Sequence, residues 1–354
     1  MNYWNKMGFG LIGCQFYGSF GVYKDGTVAV AGESDPEWMN IVQVGCGERH
    51  SLGLRADGTV LGNGVTRDNR REGVESWTNV VQLAAGSTHS LGLRSNGTVW
   101  HTGGTGSQPE IDQWTDIVHV ACGSFHSLGV KSDGTVIGAG SSSTGRLNVD
   151  QWTDIIQVAA GDDFSAGLKA DGTVVAVGDN LSTSFLNEIA QWENIIQIAS
   201  LARSDEISGL KADGTVVQTG SLVGLNDFEN IIQIARGPGH ILGLRADGTV
   251  ATAGSTSSDR LDGVDSWELT IGQYYEIEGI TTIDGVPASM ELRAYEAQAG
   301  GIQIKGQSDA TGAYTLKLPR WFNAYVMTVP PPGHRPEVHG PIIRPDELDI
   351  TPAP

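Results

Sequence analysis

Two residue types capable of chemistry recur along the 354-residue chain, an aspartate and a histidine. The aspartate opens the stretch Asp-Gly-Thr-Val, which begins at Asp25, Asp57, Asp133, Asp171, Asp213 and Asp247, with Asn96 opening a variant. The histidine opens His-Ser-Leu-Gly-Leu or a close variant at His50, His89, His126 and His240. Carboxylates and imidazoles serve in acid–base catalysis, and carboxylates bind calcium. An active site needs one special constellation, however, so the repetition favours hairpin turns for the aspartates and backbone hydrogen bonding between repeats for the histidines.

Other chemical motifs are weak or missing from the sequence. The carboxylate pairs Asp162-Asp163 and Asp205-Glu206 lie in predicted loops, where such pairs are usually solvated. The sequence contains no Gly-x-Ser-x-Gly, no phosphate-binding loop and no metal-binding spacing. A glycan-degrading enzyme would need two carboxylates at a set separation, which a sequence does not reveal. We therefore predict a protein that is not an enzyme and has no cofactor or metal.

The three cysteines occupy one repeated position. Cys14, Cys46 and Cys122 each lie eleven residues before a turn aspartate, and Ala85, Ala160 and Ala202 are assigned to the same position elsewhere. A position shared by cysteine and alanine is typical of a buried site for small side chains. No Cys-x-x-Cys or Cys/His spacing is present, so disulfide and metal roles are the weaker alternatives.

The turns belong to a longer repeat, because seven copies follow one another 32 to 42 residues apart. A tryptophan opens most units and precedes an Ile/Val-rich strand, as in Trp152-Thr153-Asp154-Ile155-Ile156-Gln157-Val158. The histidine strand, the Asp-Gly turn and a last strand follow, which gives about three strands a unit. Trp38, Trp77, Trp114 and Trp192 fill the tryptophan position, Phe228 substitutes in the seventh unit, and Trp4 opens a looser first one.

Such units cannot bury their apolar faces alone and must pack on one another, either in an open solenoid or in a closed propeller. Seven is a usual number of propeller blades, and closure removes exposed sheet edges, so we predict a seven-bladed β-propeller over residues 1–266. Trp267 begins an eighth unit that is never completed. We interpret it as the place where the ring is sealed.

The repeat Gly-x-x-His-Ser-Leu-Gly-Leu-x-x-Asp-Gly-Thr-Val resembles that of the regulator of chromosome condensation family, which are seven-bladed propellers. The short units look closest to a compact branch that includes a propeller-type β-lactamase inhibitory protein. In that branch, the resemblance implies, aromatic loops at one rim hold the partner enzyme. By analogy with the family, an exchange factor for small GTPases is a further, lower-ranked reading.

The corresponding loops lie just before the histidine position and differ among the units. They read Phe16-Tyr17-Gly18, Glu48-Arg49-His50, Ser87-Thr88-His89, Ser124-Phe125-His126, Asp162-Asp163-Phe164, Ser204-Asp205-Glu206 and Pro238-Gly239-His240. Carried over position by position, Tyr17, Arg49, Phe125 and Asp163 would face a partner, with Phe16 and Phe164 beside them. Aromatic and arginine anchors within polar loops are typical of protein interfaces. The alternative is that these loops only cap the blades.

A second candidate contact is basic. Arg67, Arg70 and Arg71 form the one basic cluster of a chain with formal charge −19. The cluster is either a solvated loop or a contact for an anion or partner. The acidic balance argues against nucleic acid as a partner, because phosphate binding needs basic stripes. No apolar run reaches the ~18 residues of a membrane span, and the N-terminus shows no signal-peptide pattern, so we expect a cytoplasmic or virion location.

The texture changes after the repeats. Residues 267–329 show period-two alternation and predict a small antiparallel β-sandwich. Gly285-Val286-Pro287 followed by Ser308-Asp309-Ala310-Thr311-Gly312-Ala313-Tyr314 resembles the carboxypeptidase-regulatory-like, transthyretin-like modules found in surface proteins and in tailed-bacteriophage virion proteins. Residues 330–354 are proline-rich and predict an extended tail. The tail is either solvated or an arm that docks on a neighbouring subunit through His334, Arg335 and His339.

These observations predict a non-enzymatic binding protein, all-β, with a propeller, a small sandwich and an extended tail. The preferred role is a bacteriophage virion surface component, on tail or capsid, that contacts other virion subunits or a host surface molecule within a homo- or hetero-oligomeric assembly. The alternative is a soluble regulator or enzyme inhibitor that uses the rim loops.

Overall fold

The computed structural model describes residues 11–269 apart from 24, 34–35, 66–68, 105–107, 221 and 255–259. Beyond residue 269 it describes the backbone of eight strands. The chain divides into two compact units, Met1–Thr270 and Ile271–Pro354. Among the described residues, no helix has the length and apolarity that crossing a bilayer requires.

The first unit contains seven sheets, each with three consecutive antiparallel strands. They are β1 Ile12–Cys14, β2 Ser19–Val22 and β3 Val28–Ala31; β4 Ile41–Cys46, β5 His50–Arg55 and β6 Val60–Gly64; β7 Val80–Ala85, β8 His89–Arg94 and β9 Val99–Gly103; β10 Ile117–Cys122, β11 His126–Lys131 and β12 Val136–Gly140; β13 Ile155–Ala160, β14 Ser165–Lys169 and β15 Val174–Val177; β16 Ile195–Ala199, β17 Ser208–Lys211 and β18 Val216–Gln218; β19 Ile231–Gly237, β20 His240–Arg245 and β21 Val250–Gly254.

The recurring Asp-Gly-Thr stretch is the turn between the second and third strands of every sheet. In the fourth sheet, Asp133 Oδ1 accepts hydrogen bonds from the backbone amide of Thr135 at 3.0 Å and from its hydroxyl at 2.6 Å. In each of the six aspartate turns, the hydroxyl of the turn threonine, followed by its backbone amide, lowers the pKa of the aspartate. The glycine of the turn has a φ of 82° in Gly134, which disfavours other residues. The prediction that these aspartates build turns is confirmed.

Each described tryptophan at the repeat position covers a glycine in the middle strand of a sheet. A Cβ atom added to Gly167, for example, would lie 2.9 Å from the Trp152 ring, so only glycine lets the indole approach this closely. Two residues after the tryptophan, Asp154 has a φ of 60°, and the next amide, that of Ile155, bonds to the carbonyl of Gly134 in the preceding sheet at 3.0 Å. The repeat Trp-x-Asn/Asp-Ile/Val therefore ties each sheet to the one before it.

The ring closes between the first and seventh sheets. Trp267 lies over Gly21 of β2, 2.8 Å from a Cβ built there, and so fills the tryptophan position of the first sheet. The Leu269 amide donates to the Gly248 carbonyl at 2.8 Å, which repeats the bond made between the other sheets. The Cys14 thiol also reaches the carbonyl of Ala235 in β19 at 3.2 Å. The interpretation of Trp267 as the point of closure is thus confirmed, while Trp4 lies outside the described residues.

The first strand of every sheet lines the centre of the ring and leaves one edge without a partner strand. In the third to the seventh sheets, a side chain of the preceding sheet covers that edge. Gln157 Oε1 accepts from the Ile198 amide at 2.8 Å, and its Nε2 donates to the Ile198 carbonyl at 3.1 Å. Equivalent acceptors lie in four other sheets: Gln43, Gln82, His119 and Gln197. Leu11 stands at this position in the first sheet, so that sheet contributes no such acceptor.

The connection between the fifth and sixth sheets contains an α-helix. Helix α1, Thr183–Ile189, begins after Ser182, whose hydroxyl accepts from the Phe185 amide at 3.1 Å. It buries Phe185 and Ile189 against the fifth and sixth sheets. Short 3-10 turns occupy other connections, at Val74–Ser76, Pro109–Gln113, Leu225–Asp227 and Val264–Ser266.

The cysteines are free and lie on the first strands. Burial raises the pKa of the Cys46 thiol to about 12 and also raises the pKa values of Cys14 and Cys122. This agrees with the small-residue interpretation. The prediction that Ala202 shares this position is wrong. The sixth unit has two extra residues between its tryptophan and its turn aspartate, because Trp192 and Asp213 are 21 positions apart, whereas Trp152 and Asp171 are 19 apart. Ala202 lies in the resulting longer loop, beyond the end of β16.

The second unit is described by its strands alone. β22 Tyr274–Ile280 pairs with β27 Ala313–Pro319, and β23 Thr282–Ile283 pairs with β24 Val286–Pro287. A four-stranded antiparallel sheet has the order β26-β25-β28-β29. Its strands are Ile302–Gln307, Glu291–Glu296, Ala324–Val329 and Val338–His339. Most of the predicted extended tail lies outside the described residues, and the part that is described, Val338–His339, pairs with β28 of its own unit.

Because Trp267 seals the ring, Trp267→Ala should destabilise the first unit as much as Trp152→Ala does within it. Removing a buried tryptophan costs about 3–5 kcal/mol. Urea unfolding followed by circular dichroism measures this free energy. Trp100→Ala is the control, because Trp100 is 36% exposed and belongs to no tryptophan position. Equal stabilities for Trp267→Ala and Trp100→Ala would contradict closure by residue 267.

Candidate functional site

The loops that join the first and second strands of the sheets lie side by side at one rim of the ring. The backbone amide of Glu48 donates to the Gly86 carbonyl in the next sheet at 3.1 Å, and that of Ser124 donates to Gly161 at 3.2 Å. The first loop residue is therefore turned inward, and Glu48, Ser87, Ser124 and Ser204 are all buried. Its successor is exposed in most of the loops, which leaves that position free to vary.

The histidine position below this rim is a structural joint between sheets. His126 Nε2 lies 3.0 Å from Ser165 Oγ in the next sheet, and that hydroxyl donates to the Arg146 carbonyl. Because the serine hydrogen is used, Nε2 must be the donor. Burial lowers the pKa of His50, His126 and His240 to about 3 and that of His89 to about 4. These histidines do bridge neighbouring sheets, but the hydrogen bond that each makes is to a serine hydroxyl and not to the backbone group that was predicted.

The two-residue insertion in the sixth sheet builds a feature that the repeat pattern did not predict. We call residues 201–204 the arch. Leu201 and Ala202 are buried, and Leu201 lines the central cavity, which has a volume of about 190 Å³. Arg203, with a φ of 65°, donates its backbone amide to Ser124 Oγ at 2.9 Å. Its guanidinium reaches Glu48 Oε1 at 3.1 Å. The arch therefore crosses the mouth of the ring, from the sixth sheet to the fourth and second.

This crossing joins three of the predicted contact residues into one surface. The Arg49 guanidinium carbon lies 5.6 Å from the centre of the Tyr17 ring, and Arg49 Nε lies 3.4 Å from the same Glu48 oxygen that Arg203 binds. Phe125 follows Ser124, which holds the Arg203 amide. We call the exposed side chains of Tyr17, Arg49, Phe125 and Arg203 the rim patch. Tyr17 and Phe125 are each 40% exposed, and the two arginine side chains about half.

The remaining rim candidates are placed differently. Phe16 is half-buried, with its ring centre 4.9 Å from that of Tyr17. Asp163 is bound by Arg146 at 3.2 Å and by Asn180 at 3.1 Å, so its charge serves the fold. Phe164 is 1% exposed and packs edge-on against Phe185 of α1. It occupies the histidine position of its sheet and does not face a partner.

The predicted basic cluster is not a cluster on the surface. Arg70 is buried, and its carbonyl accepts from the Ser90 hydroxyl. Arg71 donates to the carbonyls of Gly62 and Gly64 and pairs with Glu75 at 3.7 Å. Both arginines therefore serve the connection between the second and third sheets. Arg67 lies outside the described residues, as do His334 and Arg335 of the predicted docking tail, and the backbone of His339 pairs in β29.

The rim beyond the arch is acidic. Glu206 takes the histidine position of the sixth sheet and pairs with the fully buried Arg236, which also donates to Ser208 Oγ at 2.7 Å. Burial, followed by the charges of Asp162, Asp163 and Glu206, raises the pKa of Asp205. Within the described ranges, no three metal-ligating side chains converge on a point where an ion could be held.

Sequence reasoning identified Tyr17, Arg49 and Phe125 at this surface but missed Arg203 and Glu48. The signal for Arg203 was the longer spacing between Trp192 and Asp213. Glu48 was named in its loop, but nothing in the pattern showed that it would bind an arginine 155 positions away.

Known proteins support the fold. The family model described as Regulator of chromosome condensation (RCC1) repeat matches residues 41–70, 80–107, 117–146 and 155–182. Similar solved structures include the CRINKLY WD40 ectodomain of the Arabidopsis thaliana receptor kinase ACR4, at 17% identity, covering 69% of this chain and 94% of that one, with a TM-score of 0.56. Prp20p of Saccharomyces cerevisiae, described together with its binding to Gsp1p and histones, is 16% identical over 74% and 86% of the two chains, with a TM-score of 0.52.

The entire ectodomain of the Physcomitrella patens receptor kinase CR4 is 16% identical over 68% of this chain and 70% of that one, with a TM-score of 0.51. No curated protein matches the chain significantly. The seven sheets and the matching repeats together make the first unit an RCC1-like β-propeller.

The buried histidines should make stability fall in acid. An unfolded histidine has a pKa near 6.5, so between about pH 6.5 and 4 the unfolded chain binds more protons than the folded ring. Stability is fully present above pH 6.5 and falls as the pH drops, by up to about 1.4 kcal/mol per pH unit for each buried histidine.

The variant His126→Phe copies Phe164 in the next sheet. It should reduce the dependence of the unfolding free energy on pH by the contribution of one buried histidine, up to about 1.4 kcal/mol per pH unit. Urea unfolding at pH 7.0, 6.0 and 5.0 measures the slope, with His101→Phe, at a partly exposed histidine, as the matched control. An unchanged slope for His126→Phe, or an equal change for His101→Phe, would show that the bridging histidines do not set the acid response.

Proposed function

We propose that this chain is a non-enzymatic binding protein whose rim patch docks a protein partner. The observation that carries the proposal is the convergence of Tyr17, Arg49, Phe125 and Arg203, from four different sheets, on the mouth of the ring. None of the four side chains is needed to fill the core, since all are at least two-fifths exposed.

The composition of the patch supports a protein partner. Tyrosine, phenylalanine and arginine are enriched at protein interfaces, and they dominate the binding energy where they cluster at the centre. The buried carboxylate of Glu48 holds both guanidinium groups from below, so the anchors are positioned before a partner arrives. A propeller of the same type, Prp20p, binds the proteins Gsp1p and histones, which supports this mode of use.

The biological setting we propose is the surface of a bacteriophage virion, on tail or capsid, with assembly in the host cytoplasm. The support is the resemblance of Ser308-Asp309-Ala310-Thr311-Gly312-Ala313-Tyr314 and its neighbours to modules of tailed-phage virion proteins. The second unit would then attach the propeller to other virion subunits. The rim patch would contact a further subunit or a host surface molecule.

A second candidate is a soluble regulator or enzyme inhibitor. The observation in its favour is that the rim patch is complete within one chain and needs no neighbouring subunit to form. Such a protein would form a stable complex with one soluble partner.

The double variant Tyr17→Ala/Phe125→Ala should abolish partner binding without unfolding the ring. For the virion role, a phage whose copy of this gene is deleted is complemented with wild-type or variant chain. Wild-type chain should appear in purified particles, and the variant should lower either its incorporation or particle adsorption to cells by at least about tenfold. Val223→Ser, at an apolar residue 76% exposed elsewhere, is the matched control.

Absence of the wild-type chain from particles would contradict the virion setting. If the wild-type chain and the Val223→Ser control then formed a soluble complex that the double variant does not form, the result would support the soluble regulator or inhibitor instead. A double variant that behaves as wild type in both assays would contradict binding through the rim patch.

A further inference from the structure

The rim patch has a net positive charge, whereas the chain as a whole has a net negative charge. The protein carries a formal charge of −19, whereas the two exposed cations of the patch, Arg49 and Arg203, share one anion, Glu48, among the ion pairs that the structure describes. Tyr17, beside Arg49, contributes an uncharged hydroxyl at 3.5 Å. Counted together with Glu48, the patch therefore has a formal charge of +1 in an acidic chain.

Glu48 does not use up the hydrogen-bonding capacity of the two guanidinium groups. A single oxygen, Oε1, takes Arg49 Nε at 3.4 Å and Arg203 Nη1 at 3.1 Å. A guanidinium has five N–H donors, and about half of each side chain is exposed to solvent. Donors of both arginines thus remain available on the outer side, where a carboxylate can bind them bidentately.

The aromatic neighbours restrict what can bring that carboxylate. Tyr17 borders the arginine pair through its contact with Arg49, and Phe125 borders it through Ser124, which holds the arch. Apolar groups of a partner can cover these two rings, exclude water and so strengthen the charged hydrogen bonds.

The acidic rim beyond the arch sets an upper limit on the partner's negative charge. Asp205 lies two positions after Arg203, and the raised pKa of its carboxyl reflects, after burial, the nearby charges of Asp162, Asp163 and Glu206. A run of acidic residues, or a nucleic-acid backbone, would be repelled by these groups. One acidic side chain flanked by apolar residues would not.

We propose that the rim patch recognises a single aspartate or glutamate of a protein partner, seated between Arg49 and Arg203 with apolar residues on Tyr17 and Phe125. This inference rests on the proposed binding function and specifies the partner's chemistry. The arch is then the element that sets specificity, because it supplies Arg203, and Glu48 positions both arginines.

The test uses a yeast-displayed library of random twelve-residue peptides, selected against the immobilised full chain in 0.05 M NaCl. Selected peptides should contain one Asp or Glu next to apolar residues. Replacing that residue by Asn or Gln should weaken binding at least about tenfold, as should Arg203→Gln or Arg49→Gln in the protein. Arg55→Gln, at the opposite end of the strand that follows the Glu48-Arg49 loop, should leave binding unchanged. Affinity should also fall in 0.5 M NaCl, since salt screens exposed charges.

A charge exchange separates pairing from a general loss of surface structure. The variant Arg203→Glu should not bind the selected peptide. The same variant should bind a version of that peptide in which the peptide's Asp or Glu is replaced by Arg. Peptides that need Tyr17 and Phe125 but neither an acidic residue nor Arg203 would contradict this inference and leave the proposed function intact. Selection of polyacidic peptides alone would also contradict this inference. Failure to select any peptide whose binding depends on the rim patch would count against both this inference and the proposed function.

Discussion

The way successive sheets of the first unit pack on one another depends on how their inner edges are covered. The first strand of every sheet faces the centre of the ring and has a partner strand on one side only. An unpaired strand edge is both costly when buried and open to pairing with other chains. Here a glutamine, or His119 in one sheet, reaches from the preceding sheet to the exposed amide of the third to the seventh sheets. The first sheet has Leu11 at this position, and Gln233 Oε1 of the seventh sheet has no hydrogen-bond partner among the described residues, so the junction of the last sheet with the first depends instead on Trp267, the Leu269 amide and the Cys14 thiol.

The closure of the ring determines where the rim patch can form. Tyr17 belongs to the first sheet, Arg49 to the second, Phe125 to the fourth and Arg203 to the sixth, so no short segment of the chain contains the surface. The arch bridges them because the ring is narrow enough for four residues to span its mouth. Its two anchors are a backbone amide on Ser124 and an ion pair with the buried carboxylate of Glu48, and both hold Arg203 in place. The energetic cost of ordering the patch is therefore met in folding, which favours tighter binding of a partner.

The sequence revealed the fold because its signals are local and repeat. The Asp/Asn-Gly-Thr turn recurs seven times, the Trp/Phe-x-Asn/Asp corner six times and the glycine under an aromatic ring seven times, so these local signals reinforce one another. The surface was only partly predictable, because burial depends on neighbours distant in sequence. Phe164 resembles a rim aromatic, but α1, a helix of seven residues with a weak periodic signal, covers it. Arg70 resembles part of a basic loop, yet it is buried where the second and third sheets join. Arg203 acquires its role from contacts 79 and 155 positions away, which no spacing within the repeat encodes.

The most direct test of the closed ring is a pair of distances between spin labels on the exposed turn aspartates. Labels replace Asp25 and Asp57 in one protein and Asp25 and Asp247 in another, with Cys46 changed to the alanine that Ala85 provides at that position in the third sheet. In a closed ring the first sheet is the neighbour of the second and of the seventh, so the two distances should agree within a few ångströms. In a straight stack of sheets about 10 Å apart, the second pair would be separated by about 60 Å. Distances of that kind would contradict the closed ring and, with it, the rim patch.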